Sequence, residues 1–261
     1  MYTWVYIYEF VGNVSDRIPQ IIDQDYIGFW KEAEYSFIFF RKEKRALFQE
    51  LSLPYRSELV IRHEDWESGA SLDVLQLGRI AIHPPWKNPS PTCGIHVCID
   101  PNMAFGSGYH ATTKGCLVLL DRLYQEFIPE KVLDLGTGTG ILSIVCLKMG
   151  SPTAYCIDNN NLSTDTAKMN CRLNSLEGQM HLLRGDVRDF LYIPADLLIG
   201  NIHYKVIDEM TDQEIFYGKK YYVLSGLLGH EGHLIEEKLK KRLILLDTYQ
   251  ENFWFSYLFK S

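Results

Sequence analysis

Several things are missing from this 261-residue chain, and each absence closes a route. No apolar run approaches bilayer-spanning length. The opening Met1-Tyr2-Thr3-Trp4-Val5-Tyr6-Ile7-Tyr8-Glu9-Phe10 carries neither a basic leader nor a cleavage site, so it reads as a strand and not a signal peptide. No Cys-x-x-Cys pair is present. The six cysteines, Cys93, Cys98, Cys116, Cys146, Cys156 and Cys171, sit mostly in apolar segments, as reduced intracellular thiols do, and a metal site finds no support. Positive charge is in deficit, with 26 Lys and Arg against 33 Asp and Glu and a net charge of −7. That balance argues against a general nucleic-acid binder and agrees with a basic protein as partner. Repeats and disorder-prone tracts are also lacking. What remains is an ordinary soluble composition, long enough for one sizeable core and a small second domain.

The informative stretch is Val132-Leu133-Asp134-Leu135-Gly136-Thr137-Gly138-Thr139-Gly140-Ile141-Leu142, an apolar strand running into three glycines on alternate positions. A tight strand-to-helix reversal that lets a ligand lie on the backbone needs residues without a Cβ. The dinucleotide fingerprint wants its third glycine one residue later, where this chain has Ile141, and prepares a helix start for a pyrophosphate. Asp134, at the strand end, suits the cationic amino-acid end of S-adenosylmethionine and would repel a diphosphate. Asp158 follows a second strand and is placed to accept both ribose hydroxyls. The pattern therefore favours S-adenosylmethionine.

The first fifty or so residues read as a small α+β unit: a strand over 2–10, a short helix over 18–25, a hairpin of 27–30 with 35–40, and a helix over 41–51. Its aromatic density serves either as core filling or as a substrate-gripping face. Residues 59–69 read as a connector. Short strands at 78–82 and 94–99, separated by Pro84, Pro85, Pro89 and Pro91, suggest a stiff hairpin-like entrance to the second domain. From Lys131 the pattern alternates. Strands are expected at 132–135, 153–157, 180–184, 195–201 and 221–227, helices at 141–149, 162–174, 208–216 and 231–242, and a closing antiparallel pair at 243–249 and 253–259. The fold class is α/β, a doubly wound seven-stranded Rossmann-like sheet of methyltransferase type with a small N-terminal α+β domain. The division expected is 1–54, a linker over 55–76, and 77–261.

Ligands bind such sheets at the carboxyl ends of the strands, where Asp134, Asp158, Asp186 and Asn201 all stand. The loop over 100–113, with Phe105, Ser107, Thr112 and Thr113, precedes a helix over 114–123 and can close over a bound cofactor. A plainer reading makes Thr112 and Thr113 helix caps and Phe105 a core plug. His110 reads as a hydrogen-bonded structural residue more than a base. Methylating an amine needs a neutral nitrogen aimed along the methyl–sulfur axis, so catalysis is mostly positioning. The Asn201 side-chain oxygen is the group placed to hold that nitrogen. The cofactor-binding set is thus Phe105, Ser107, Thr112, Thr113, Asp134, Gly136, Thr137, Gly138, Gly140, Asp158, Asn159, Asp186 and Asn201, with Asn201 as the catalytic residue.

These residues resemble the methyltransferases that modify ribosomal protein L-eleven, the PrmA family. The family's loop, Pro-x-Met-Ala-Phe-Gly-x-Gly-x-His-x-Thr-Thr, is matched from Pro101 to Thr113, its Asp-x-Gly-x-Gly-x-Gly turn by Asp134 to Gly140, its ribose acid by Asp158 and its asparagine by Asn201. Ser225-Gly226-Leu227-Leu228, Trp4-Val5-Tyr6, Gly28-Phe29-Trp30, Glu64-Asp65-Trp66 and Trp254 are similar to further pieces. The resemblance implies trimethylation of lysine side chains and an N-terminal amine on a basic ribosomal protein in the cytoplasm, with the small domain docking that protein. This chain departs from the family at Asp158-Asn159-Asn160-Asn161, at His203-Tyr204-Lys205 after Asn201, at Glu67-Ser68-Gly69-Ala70, and at Ser107 in place of threonine. The altered acceptor side leaves a divergent methyltransferase of another protein or a small amine as the alternative. A nicotinamide-dependent oxidoreductase or a nucleotide-binding scaffold is the reading from a different class.

Overall fold

A computed structural model of the chain describes residues 4–32, 34–62, 73–87 and 94–261. The expectations for residues 1–3, Glu64-Asp65-Trp66, the 67–70 stretch, Pro89, Pro91 and Cys93 lie outside the described residues.

Successive side chains on a strand point to opposite faces, so a run such as Ile38-Phe39-Phe40 must be covered on both sides. The small N-terminal sheet is built that way. It contains β1 (Trp4–Val11), β2 (Tyr26–Glu32), β3 (Tyr35–Phe40) and β4 (Ser57–Arg62), in the order β2-β3-β1-β4, with α1 (Ile18–Ile21) and α2 (Arg45–Glu50) attached. One face carries Tyr8, Phe10, Ile38 and Phe40 against Phe48 of α2. Tyr8, Phe10 and Tyr55 meet Phe48 edge-on at 4.7, 5.2 and 5.9 Å. That geometry identifies the aromatic density as core filling. The other face presents Val5, Ile7 and Phe39 to Met103 and Leu162 of the large domain. Gly28 lies so close to that domain that a Cβ on it would stand 2.3 Å from Leu162 Cδ1.

β4 corrects the connector reading, since its residues pair with β1 from Trp4↔Arg62 to Glu9↔Ser57 and complete the sheet. It is an edge strand whose Leu59 and Val60 are both exposed, so the alternation that marks a half-buried strand is blurred.

Next come β5 (Leu75–Leu77), β6 (Ile80–His83) and β7 (Ile95–Cys98), a three-stranded sheet in that order. β5 and β6 form the hairpin, turning at Gly78, whereas β6 and β7 run parallel. The expected hairpin between the proline-flanked strands is therefore replaced by a return crossover, because β7 pairs through Ile80↔Ile95 in the same direction.

The large sheet comprises β8 (Lys131–Leu135), β9 (Thr153–Asp158), β10 (Met180–Arg184), β11 (Leu197–Asn201), β12 (Tyr221–Leu228), β13 (Ile244–Glu251) and β14 (Trp254–Lys260), ordered β10-β9-β8-β11-β12-β14-β13. Five strands are parallel; β14 is antiparallel to both β12 and β13. α3 (Ala111–Glu126), α4 (Ile141–Lys148) and α5 (Asn161–Leu173) cover one face, and α6 (Tyr204–Thr211) and α7 (Gly229–Leu239) the other. The doubly wound seven-stranded sheet is as expected. α6 begins earlier than anticipated, because the His203 side chain caps it by accepting the Lys205 N–H. Among the described residues, the cysteines are free, and no helix is long and apolar enough to cross a membrane.

Leu162 is almost fully buried where the small sheet meets α5, and truncation leaves a cavity that both domains line. Leu162→Ala should destabilise the protein by about 2–5 kcal/mol in urea unfolding monitored by tryptophan fluorescence. An unchanged midpoint would mean that the two domains do not rely on this contact.

Candidate functional site

The turn from β8 into α4 uses every backbone donor it has. Gly136 and Thr137 donate to the Ile157 carbonyl at 2.8 and 3.0 Å, Gly138 to Asp158 Oδ2 at 3.0 Å, Thr139 to the Phe105 carbonyl at 2.9 Å, and Gly140 to the Thr137 carbonyl at 2.8 Å. A pyrophosphate-binding turn keeps such N–H groups free at its helix start. Here they are committed to the protein, and a carboxylate already occupies the centre. A phosphate finds no anchor.

Two of the glycines are required by protein neighbours. Gly138 (φ +56°) would place a Cβ 2.3 Å from the Phe105 carbonyl oxygen, and Gly136 (φ +76°) would place one 2.1 Å from Ile202 Cγ2. They let the 101–113 loop and the segment after β11 close onto the turn. Thr139 fixes the loop further, its Oγ1 donating to the Gly106 carbonyl at 2.6 Å. Behind the loop, Asn170 and Asn174, one turn apart on α5, hold the backbone of Asp100 and Cys98 by paired hydrogen bonds of 2.7–3.0 Å.

Asp134 is the least satisfied polar group of the site. Its Oδ2 accepts from Thr137 Oγ1 and Ser143 Oγ, each at 2.7 Å, while Oδ1 is buried without a partner. The residue is 1% exposed. Burial pushes its pKa up to about 6, against the pull of the two hydroxyls, and the neighbouring Asp158 charge adds to the rise. A buried carboxylate oxygen without a donor calls for a cation or a donor from outside the chain.

Asp158 ends the adjacent strand. Besides the Gly138 bond, its Oδ1 accepts the Asn160 N–H at 2.9 Å; burial raises its pKa, and these backbone donors oppose the rise. The Ser163 hydroxyl and the Asn159 N–H also act on this carboxyl. Asn159 lines a cleft of about 380 Å³ shared with Asn13 and Trp30 of the small domain and with Arg184. Asp186 stands at the end of β10 as expected, with its oxygens engaged: Arg188 Nε reaches Oδ1 at 2.8 Å and Nη2 reaches Oδ2. Arg188 also pairs with Glu209 of α6 and holds the Asp186 carboxyl below its usual range. Ser107 is buried in the loop, lining a small cavity with Ile82 and His83.

On the acceptor side, Asn201 Nδ2 donates to Thr113 Oγ1 at 3.4 Å, which leaves Oδ1 without a partner among the described residues. Thr112 and Thr113 are buried in the first turn of α3, and the Thr112 carbonyl accepts from Ser225 Oγ at 3.3 Å. His110 caps that helix, its Nδ1 2.8 Å from Thr112 Oγ1 and 3.4 Å from the Thr112 N–H. Burial lowers its pKa.

His110 is flanked edge-on by Phe105 and Trp254, each with its ring centre 5.2 Å away. Phe105 is 45% exposed, so it plugs no core. Next to this trio, Glu251 accepts from Lys114 at 3.0 Å and from Tyr249 at 2.7 Å. Glu251 was not singled out from the residues, and Trp254 entered only through the family resemblance; the pairing of β14 with β12 brings Trp254 to α3. Among the described residues, no group of three or more His, Cys, Asp or Glu is placed to hold a metal ion.

Comparison with known proteins agrees with this geometry. The family described as ribosomal protein L11 methyltransferase (PrmA) matches residues 24–261. A ribosomal protein L11 methyltransferase of Desulforamulus reducens is 27% identical over 258 residues, covering 96% of this chain and 82% of that protein. One from Dictyoglomus thermophilum is 33% identical over 208 residues, covering 77% of this chain and 68% of its own length. A solved ribosomal protein L11 methylase from Lactobacillus delbrueckii subsp. bulgaricus shares the fold, with a TM-score of 0.63 and 23% identity over 72% of this chain and 98% of that one. The turn, the loop locked onto it and a match over nearly the whole length lead to one assignment: the chain belongs to the PrmA family of methyltransferases.

Proposed function

We propose that this enzyme transfers methyl groups from S-adenosylmethionine to amines of ribosomal protein L11, at lysine side chains and the N-terminal amine, in the cytoplasm. One observation carries the cofactor reading: the buried, unpartnered Oδ1 of Asp134 beside a turn whose N–H groups are all taken. Such a site is built for a cation and not for a phosphate. Family membership supports the reaction class.

In this reading Asp134 Oδ1 receives the cationic amino-acid end, Asp158 the ribose hydroxyls, and the 101–113 loop with Phe105, Ser107, Thr112 and Thr113 covers the crevice. Gly136, Thr137, Gly138 and Gly140 shape the floor, and Asn159 and Asp186 border the adenine end. Bound S-adenosylmethionine supplies an electrophilic methyl group on sulfur. Thr113 fixes the Asn201 amide so that Oδ1 faces the incoming nitrogen and accepts its N–H, which aims the lone pair. His110, Phe105 and Trp254 wall the lysine stem. No side chain here acts as base, so the amine enters in its neutral fraction and loses its proton to water. The net charge of −7 favours a basic partner, and the small domain with its connector serves as the docking unit. His203 and Lys205, exposed just beyond Asn201, are the observation that favours a different amine-bearing acceptor.

Mass spectrometry of purified L11 after incubation with enzyme and cofactor should show added mass in steps of one methyl group. Transfer to other proteins of an extract but not to L11 would establish the divergent reading instead.

Asp158→Ala should weaken cofactor binding by about 1.5–3 kcal/mol, roughly tenfold to a hundredfold, in titration calorimetry. Asn201→Ala should reduce kcat by about a hundredfold while leaving cofactor affinity within about a factor of two. Loss of binding with turnover preserved would remove Asn201 from its positioning role.

The pH dependence follows from Asp134. Its carboxyl is protonated in the free enzyme below about pH 6, and only the ionised form attracts a cation. Cofactor affinity should therefore fall toward about tenfold per pH unit as the pH drops below that value, and binding there should release a proton. Affinity independent of pH between 5 and 7 would contradict the assignment.

A further inference from the structure

Tyr109 lies in the loop at a position with no role in either cofactor or acceptor binding, yet its hydroxyl makes a two-way hydrogen bond between the loop and the entry to β5. It accepts the Asp73 N–H at 2.8 Å and donates to the Asp73 carbonyl at 2.9 Å. Asp73 is itself anchored. Its carboxylate accepts the Val74 N–H at 2.8 Å and pairs with Lys87 at 3.3 Å, and these contacts hold its carboxyl below the usual range.

The residues beside Tyr109 are gripped by the same elements. Gly108 (φ +98°) is closed in by Ile82 Cδ1, Leu75 Cδ2 and Ile141 Cδ1, at 3.2, 3.3 and 3.4 Å from the place a Cβ would occupy. Tyr109 N–H donates to Ser107 Oγ at 3.3 Å. The loop is thus held on two sides. Thr139 pins its Phe105 and Gly106 carbonyls to the glycine turn, and Tyr109 ties its other end to the strand that the chain enters on leaving the small domain.

We propose that Tyr109 is a positioning residue: its hydroxyl straps Asp73, at the entry of β5, to the loop and so holds the loop closed over the cofactor crevice. The proposal rests on the reading of the loop as the cover of a cofactor site. A cover held shut in only a fraction of molecules lowers the apparent affinity by that fraction. Removing one hydroxyl from a half-buried ring leaves the Asp73 groups free to bond water, so the fold itself loses little.

The test uses the full chain and S-adenosylmethionine. In Tyr109→Phe, the cofactor Kd should rise about threefold to tenfold, with the melting temperature nearly unchanged. Amide exchange at residues 105–110 should accelerate in the free protein and return to the wild-type rate at saturating cofactor. A merely structural tyrosine would lower the melting temperature and leave exchange at 105–110 in step with the rest of the domain, which overturns the proposal. Unchanged affinity and exchange in the variant overturn it as well. The wild type serves as the control for the underlying reading: if it binds the cofactor without protection of residues 105–110, or does not bind, the cover itself is refuted and the strap with it.

Discussion

A single buried carboxylate sets the terms for the site. Asp134 ends β8 with one oxygen clasped by Thr137 and Ser143 and the other facing no donor. The clasp stitches the strand, the turn and the first helical residues into one unit. Burial raises its folded-state pKa to about 6 from the 3.8 of an ordinary carboxyl. The sign is therefore the opposite of a salt-bridged acid: above pH 6 the ionised group burdens the unliganded fold by on the order of 3 kcal/mol, and below pH 4 that burden vanishes. Carrying an ionised group under this strain at neutral pH makes sense where a positive charge arrives to relieve it.

Around that group, four stretches distant in sequence converge at glycines. The Phe105 carbonyl rests on Gly138, Ile202 rests on Gly136, and Gly226 (φ +84°) lies under the Ile202 carbonyl, where a Cβ would come within 2.3 Å. The approaches at Gly138 and Gly226 are to backbone and leave no slack, because backbone cannot yield as a side chain can. They also explain why the loop and the turn occur together: each supplies the surface that the other needs. The asparagines of α5 extend the same lock to Asp100, so the helix that meets the small domain through Leu162 also holds the base of the loop.

What the sequence revealed depended on whether a feature was local. The glycine turn, the acids at the strand ends and the order of alternating strands and helices were readable, because each rests on a short pattern with one physical meaning. Asp186 was placed correctly at its strand end, but its partner Arg188 was not foreseen, since an ion pair two residues away leaves no periodic trace. β4 was missed because its exposed Leu59 and Val60 break the alternation, and its identity comes from pairing with β1. The direction of β7 relative to β6 was misread for a similar reason: prolines show that the chain turns, and only the ladder shows which way it returns. Trp254 became a neighbour of His110 through tertiary packing alone.

The position of β14 has one more consequence. The last strand of the chain lies inside the sheet, between β12 and β13, and not at its border. A ribosome delivers it after both of its neighbours, so until it emerges β12 presents an open ladder of unpaired amides, an adhesive edge at the very stage when foreign strands are near. The indole of Trp254 reaches its seat only when that insertion is complete. Packing of Trp254 against His110 thereby doubles as a mark of maturity: a nascent chain can hold a finished glycine turn and still lack the aromatic trio beside it.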